Sequence, residues 1–501
     1  MQLARNAFHL VLGQMGTMVL GILFSATVGR KSGLGVQGLG PVDFGLFFLL
    51  NSFATFAMVL VDWGQQYFGI REVARTPERG GDLLGTGLVI RGLGMVAICG
   101  PAALAAWALG YDARTRLFTT VVVLTSIPFF LAQGFGIVFR GRDRMELDAA
   151  VSVTNRAAGL VCAWIALYFG LGLPGVLGAV AMGGLAALAL AYRLYPSLQN
   201  SGPLRVSRAT ARFVLWGGTP LFLMTFAVYV QPYLDAVLLS RLVPPEVMGW
   251  YAAAKSIMGT LLAPALIIGS AAFPRLSRAA SNHAVFRDEL ATALRPVLWL
   301  GGLAAVGTWL FAPTAINVVY GGKHFDPAAV ILQVHGLGLV LLFLDVLLAC
   351  ALTALGRSTA MAVGKMLSVA GGVGLELFFI PYFQRRQGNG GIGVTLATVL
   401  AELVVFTAYL LLLPRGVLSR RVGLDALRTV GTGAGTWAVI HFLPPLSPWI
   451  GIPLCVVVFA LLSSLVGFLR PADLKVIPAL LRRGPVPEPG PALAGSSGPG
   501  K

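Results

Sequence analysis

The sequence predicts an all-α polytopic membrane protein of about fourteen transmembrane helices, arranged as two six-helix lobes around a central cavity plus a C-terminal helix pair. Three observations predict it. Apolar runs of about 20 residues recur along the whole chain. The 501 residues are 56% hydrophobic and only 11% charged, with mean hydropathy +0.81. Short loop motifs then repeat at matched spacing in the two halves. A bilayer gives the backbone no hydrogen-bond partners, and a membrane barrel would show short alternating segments, so long unbroken apolar runs read as helices.

The predicted spans are 7–29, 41–68, 86–109, 117–139, 149–170, 174–195, 213–239, 249–273, 293–316, 327–355, 361–383, 391–413, 425–444 and 449–470. The thirteenth is the weakest, because Asp425 and Arg428 lie near its start. The N-terminal MQLARNAFHL resembles a charged signal region, but the apolar run behind it lacks a small-residue cleavage site and reads as a retained first span.

Loop charge sets the orientation. Arg71, Arg75 and Arg79, then Arg140, Arg142 and Arg144, then Arg193, Arg205, Arg208 and Arg212 follow even-numbered spans, as do Arg275, Arg278, Arg287, Arg415, Arg420 and Arg421. Odd-numbered loops carry fewer cations, and the positive-inside rule then places both termini in the cytoplasm. The same distribution explains the net charge of +17 without nucleic acid. Residues 471–501, rich in Pro, Gly and Ser, read as a largely disordered cytoplasmic tail.

Several functions are disfavoured. Cys99, Cys162, Cys350 and Cys455 lie far apart inside apolar runs, and the five histidines form no metal-ligand pattern, so neither a metal nor a cofactor is expected. Each histidine reads as a helix-end or packing residue. The outer loops, none longer than about a dozen residues by these boundaries, leave no room for an extracytoplasmic catalytic domain.

The repeat is specific. GRKSGLGVQGLGPVDFGLFF after span 1 and SRLVPPEVMGWYAAA after span 7 each carry an arginine and then a glycine beside aromatics, Phe44-Gly45 and Gly249-Trp250-Tyr251. FRGRDRMELDA after span 4 and LGRSTAMAV after span 10 each carry a Gly-Arg step. Arg30 to Arg142 spans 112 residues and Arg241 to Arg357 spans 116. Halves related by six spans share one orientation, as in a parallel repeat about the membrane normal. The division expected is a lobe over 1–200, a second over 201–414, and a helix pair over 415–470.

The same pieces resemble a family. RNAFHLVLGQ, the Arg30 to Gly45 loop, FGIREVAR, the Asp235 to GWYAAAK hairpin, AAFPRLS, YGGKHFDPAAVIL, ALGRSTAMA and IPYFQRRQGNGGIGVTLATVLAE are similar, in order and spacing, to Wzx-type polysaccharide and O-antigen flippases. These belong to the multidrug/oligosaccharidyl-lipid/polysaccharide (MOP) superfamily. The resemblance covers nearly the whole repeat region. It implies a transporter, not an enzyme, that moves an undecaprenyl-pyrophosphate-linked glycan from the cytoplasmic to the outer leaflet for surface polysaccharide assembly. Membrane lipid, a polysaccharide polymerase and a chain-length regulator are the implied partners, with a monomeric transport unit. Fourteen spans instead of the twelve of many relatives resemble the lipid II flippases and leave the lipid-linked substrate open.

Moving a diphosphate through hydrocarbon requires a cationic path, and arginine suits phosphate by its fixed charge and forked donors. Arg91 and Arg156 in the cytoplasmic half of the first lobe, Lys255, and Arg30 are the candidates for that path. Snorkelling to the interface is the plainer role for Arg91 and Arg156. Asp235 and Lys255 fall at similar depth on one hairpin, either as a structural pair or with Lys255 on phosphate and Asp235 at a gate. Their first-half counterparts are Phe24 and Asn51, so the fold does not require the pair twice. Asp345 and Glu402 are the most central acids of the second lobe and Glu376 lies further out; they are candidates for coupling to Na⁺ or H⁺, or for helix-to-helix contacts with a partner cation. Asp62 reads as structural. Pro232 is the hinge candidate, and RLSRAASNHAVFRDELATALR reads as a helix on the membrane surface. A cation-coupled multidrug exporter remains the alternative; an acidic cavity would favour it, and intramembrane Arg and Lys favour the flippase.

Overall fold

A computed structural model describes residues 2–30, 35–198, 202–321, 323–418, 420–444 and 447–468, with side chains from residue 13 onward except at 224, 227–229 and 323. The expected tail over 471–501 lies outside the described residues. The first half comprises α1 (Gln2–Gly29), α2 (Gly40–Asp62), α3 (Gln65–Arg75), α4 (Gly80–Ala108), α5 (Ala113–Thr125), α6 (Ile127–Gly141), α7 (Met145–Tyr168) and α8 (Gly172–Leu194). The second comprises α9 (Arg208–Tyr229), α10 (Gln231–Leu242), α11 (Pro245–Leu261), α12 (Ala263–Ala279), α13 (His283–Tyr320), α14 (Ala328–Ala354), α15 (Ser358–Gln387) and α16 (Gly390–Leu412). The pair α17 (Arg420–His441) and α18 (Pro448–Leu465) follows.

All fourteen predicted stretches are helical, but among the described residues eleven helices are long and apolar enough to cross a membrane. The first span contributes only Gly13–Gly29 to that comparison, as a shorter apolar helix. The seventh span divides into α9 and α10, and α17 is polar near its start.

Four predicted spans are broken within the bundle. Span 4 breaks at Ser126 ahead of Pro128, span 7 at Val230 ahead of Pro232, and span 8 at Leu262 ahead of Pro264. Each proline lacks the N–H that would continue the backbone ladder, and its ring crowds the preceding turn. Span 2 breaks at Trp63-Gly64, both left-handed. The expected surface helix over RLSRAASNHAVFRDELATALR is instead the end of α12 and the first turns of α13. Asn282 caps α13 by accepting from Ala284 N and Val285 N at 3.1 and 3.2 Å, and Phe286, Leu290 and Leu294 bury inward.

Buried side chains hold each half together. One continuous cluster runs through the second half and takes in Val28 of α1, Phe44 and Leu49 of α2, Ala163 of α7 and Val176 of α8, while two smaller clusters lie mainly in the first half, one of them reaching Val214 of α9. The C-terminal pair sits on α13. Arg295 Nε lies 3.3 Å from Asp425 Oδ2, and Trp299 Nε1 donates to Ser463 Oγ at 3.0 Å. Asp425 is therefore a buried ion-pair partner where α17 meets α13.

Candidate functional site: two lysine-centred carboxyl clusters and a seam between lobes

The hairpin of α10 and α11 brings Asp235 and Lys255 together through an intermediary. Tyr251 Oη donates to Asp235 Oδ2 at 3.4 Å and accepts from Lys255 Nζ at 3.2 Å; the ion pair itself spans 3.8 Å. Tyr251 is fully buried, so its hydroxyl must find polar partners, and it finds these two. Glu376 of α15 adds a second carboxyl that interacts electrostatically with that of Asp235. Its Oε2 has no hydrogen-bond donor among the described residues. His335 of α14, also buried, lies edge-on to Tyr251 with ring centroids 6.2 Å apart. Two carboxyls against one lysine form the kind of intramembrane acidic cluster at which cations or protons are bound.

Asp345 and Glu402 also converge, and the residue joining them is Lys365. Its Nζ lies 3.2 Å from Asp345 Oδ2 and 3.0 Å from Glu402 Oε1. This is the partner cation for those acids. The sequence reasoning missed Lys365, although a lone lysine inside an apolar span was the available signal.

Arg91 is fully buried and already committed. It pairs with Asp62, donates to Phe130 O at 3.0 Å and to Gln66 Oε1 at 3.2 Å, and stacks on the Phe130 ring at 4.5 Å. The guanidinium therefore binds α2, α3, α4 and α6 together and presents no open face to a headgroup in this conformation. Arg156 is the opposite case. Its side chain is exposed on α7, and no ion pair engages it among the described residues. Lys255 is partly accessible as well, its side chain 24% exposed.

Arg30 reaches across the halves. Its Nε donates to Val319 O at 2.9 Å and its second nitrogen to Val318 O, both at the C-terminal end of α13. Arg241, the counterpart of Arg30 in the repeat, reaches back to Gly110 O at the end of α4, at 3.3 Å, and stacks on Tyr111 at 5.3 Å. Both helices end on a left-handed glycine, Gly110 (φ 74°) and Gly321 (φ 61°). A Cβ on either would come to 3.3 Å from the arginine lying over it. Unpaired carbonyls and the negative end of the helix dipole attract the guanidinium in each case.

The two glycines of the repeated loops meet between these arginines. A Cβ on Gly45 would stand 2.7 Å from Gly249 N, and one on Gly249 only 2.0 Å from Pro41 O. Around this contact, Phe44 packs on Tyr320 at 5.7 Å and Phe48 on Tyr251 at 5.9 Å, while Ser256 Oγ donates to Ser25 Oγ at 3.0 Å. The ends of the halves that carry the odd-numbered loops are thus closed on one another. Pro232 stands at the start of α10, just past the break at Val230, where a change of angle between α9 and α10 would move Asp235.

Broken membrane helices, intramembrane ion clusters and two halves meeting at repeat-related glycines characterise this fold, and the comparisons give it a family. The family described as polysaccharide biosynthesis protein matches residues 3–280, and the chain belongs to it. No curated sequence matches the chain significantly. Among solved structures, the lipid II flippase MurJ in an inward closed conformation is similar at TM-score 0.74 and 14% identity, covering 93% of this chain and 99% of that one. An inward-facing multidrug resistance MATE family transporter of the MOP superfamily follows at TM-score 0.66 and 14% identity, covering 84% and 98%. A MOP superfamily transporter from Pyrococcus furiosus aligns at TM-score 0.58 and 16% identity, covering 84% and 96%. These likenesses establish a shared fold.

Proposed function

We propose that the protein is a flippase that carries undecaprenyl-pyrophosphate-linked oligosaccharide units from the cytoplasmic to the outer leaflet of the bacterial inner membrane by alternating access of its two halves. Its products then feed surface polysaccharide assembly. The observation that carries this reading is Arg156, a cation within the span α7 that is exposed and without an ion-pair partner among the described residues. An unpaired charge is costly at that depth and is retained where an anionic partner visits. Lys255 is the second contact, supplying a point charge from the opposite half. Asp235 and Glu376 take the coupling ion, Na⁺ or H⁺, since their two carboxyls face a single lysine. Ion occupancy then sets the angle of α10 through Asp235, with Pro232 at the bend, and loosens the Arg30 and Arg241 contacts. Asp345 and Glu402 are held by Lys365 and serve the packing of α14, α15 and α16.

The test is complementation. In a strain lacking the gene, Arg156→Ala and Lys255→Ala proteins that insert normally should fail to restore surface glycan. Restoration at wild-type level by both would rule out the phosphate path. The alternative, a cation-coupled multidrug exporter, is favoured only by the acids of the second half. It predicts lost resistance to cationic dyes with surface glycan intact.

A further inference from the structure

The motif FGIREVAR is not used by the transport path just described, and the structure gives it a place. Beyond the left-handed break at Trp63-Gly64, α3 leaves the line of α2, and its polar sequence presents Arg71 and Arg75 one turn apart on one face. Their side chains are 50% and 66% exposed. Across a groove of about 970 Å³ stands α9, the first helix of the other half, with Arg212 exposed and without an ion-pair partner among the described residues.

Glu72 lies between the first two arginines, 3.2 Å from Arg71 Nε and 3.6 Å from Arg75 Nη1. It steadies both guanidinium groups, and three arginines with one glutamate leave the groove two net positive charges. A diphosphate diester carries two negative charges, whereas a phosphodiester lipid such as phosphatidylglycerol carries one. The remaining wall is aromatic: Phe68 packs on Phe213 at 5.1 Å, and Trp216 is 73% exposed beside the arginines. Exposed tryptophan next to arginine marks the headgroup level of a membrane, with an apolar ring for the chain below and cations for the phosphate above.

The groove ends on the seam between the halves. A Cβ on Gly217 would lie 2.1 Å from the Phe68 ring, and one on Gly64 would lie 2.3 Å from Gly218 O. The backbones of the two halves thus approach closely along this line, and an occupant of the groove sits directly on the contact between them.

We propose that this groove between α3 and α9 docks the diphosphate headgroup of a polyprenyl-linked lipid at the cytoplasmic leaflet, before the headgroup passes between the halves. The proposal rests on the flippase reading above. In it, Arg71 and Arg75 grip one phosphate, Arg212 grips the other from the second half, and Trp216 lies against the first isoprene units.

The test uses the full-length protein in detergent and native mass spectrometry, with undecaprenyl pyrophosphate and phosphatidylglycerol as separate probes. Arg212→Gln, and Arg71→Gln with Arg75→Gln, alter exposed side chains and should leave the protein monodisperse. Each should weaken undecaprenyl pyrophosphate binding at least tenfold while changing phosphatidylglycerol less than threefold. Arg212→Lys should fall between, because the charge remains and the fork is lost. Unchanged undecaprenyl pyrophosphate affinity in both variants overturns the proposal. So does an equal loss for both lipids, which assigns the groove to bulk phospholipid. If these variants bind and flip normally while Lys255→Ala does not flip, the groove assignment falls and the flippase reading stands. If the wild-type protein does not prefer undecaprenyl pyrophosphate to phosphatidylglycerol, the flippase reading falls with it.

Discussion

Replacing Arg30 by alanine should open the end of the protein that carries the odd-numbered loops, and the structure sets how far. Arg30 gives two charge-assisted hydrogen bonds to the last carbonyls of α13, while Arg241 gives one longer bond to Gly110 and a ring contact. With partial exposure discounted, the first latch contributes about 2 kcal/mol and the second about 1 kcal/mol to the closed arrangement. These are shifts of about 30-fold and 5-fold in the ratio of closed to open forms. The two arginines share no partner, so the double variant should shift the ratio by roughly 150-fold. Spin labels at Ala113→Cys and Glu246→Cys, with the four free native cysteines replaced, report the separation of the two halves by double electron–electron resonance. A longer distance should grow in the order Arg241→Ala, Arg30→Ala, double variant. An unchanged distribution in the double variant, or a larger effect from Arg241 than from Arg30, would refute the latch reasoning.

Three further outcomes follow from the buried charges. Asp62→Ala strands a fully buried guanidinium and should cost about 3–5 kcal/mol of stability, whereas Asp62→Leu with Arg91→Met should recover most of it; thermal unfolding in detergent measures both. Lys365→Ala leaves two carboxyls facing each other, and a similar loss, partly recovered by adding Asp345→Asn, is expected in the same assay. Glu376→Gln removes one of the two carboxyls proposed to take the coupling ion. Transport by this variant should no longer respond to an imposed Na⁺ or proton gradient, although the protein folds normally; a wild-type response would move the ion elsewhere.

Much of this architecture could be read from the sequence because lipid allows so few solutions. Hydrophobic runs located the long apolar helices, though not the polar α3, and the glycines of the matched loops are ones that touch across the halves, Gly45 against Gly249. The repeat was legible there because the two loops differ little in length. What it did not reveal was that the repeated arginines each cross to the other half. Nothing in sequence links Arg30 to Val319 or Arg241 to Gly110; only the left-handed glycines ending α4 and α13 hint that bare carbonyls await a cation. Asp235 and Lys255 were within reach of a hairpin argument, since 20 residues separate them. Glu376 joins them from α15, and Lys365 joins Asp345 to Glu402 across three helices, pairings that depend on how distant spans rotate about their own axes. Hydropathy is silent on that rotation. The breaks at Ser126, Val230 and Leu262 were announced by prolines two residues on, yet a proline inside an apolar run is equally compatible with a mere kink.

The most direct test of transport itself is a reconstituted one. Vesicles containing the purified protein and an undecaprenyl-pyrophosphate-linked oligosaccharide on both leaflets are treated with a membrane-impermeant glycosidase, and the protected fraction is followed in time. The account predicts that wild-type protein renders the protected half accessible, that Arg156→Ala with Lys255→Ala leaves it protected, and that Arg156→Lys with native Lys255 retains partial activity. A protected fraction that stays at one half with the wild-type protein, across imposed Na⁺ and proton gradients of either direction, would contradict it.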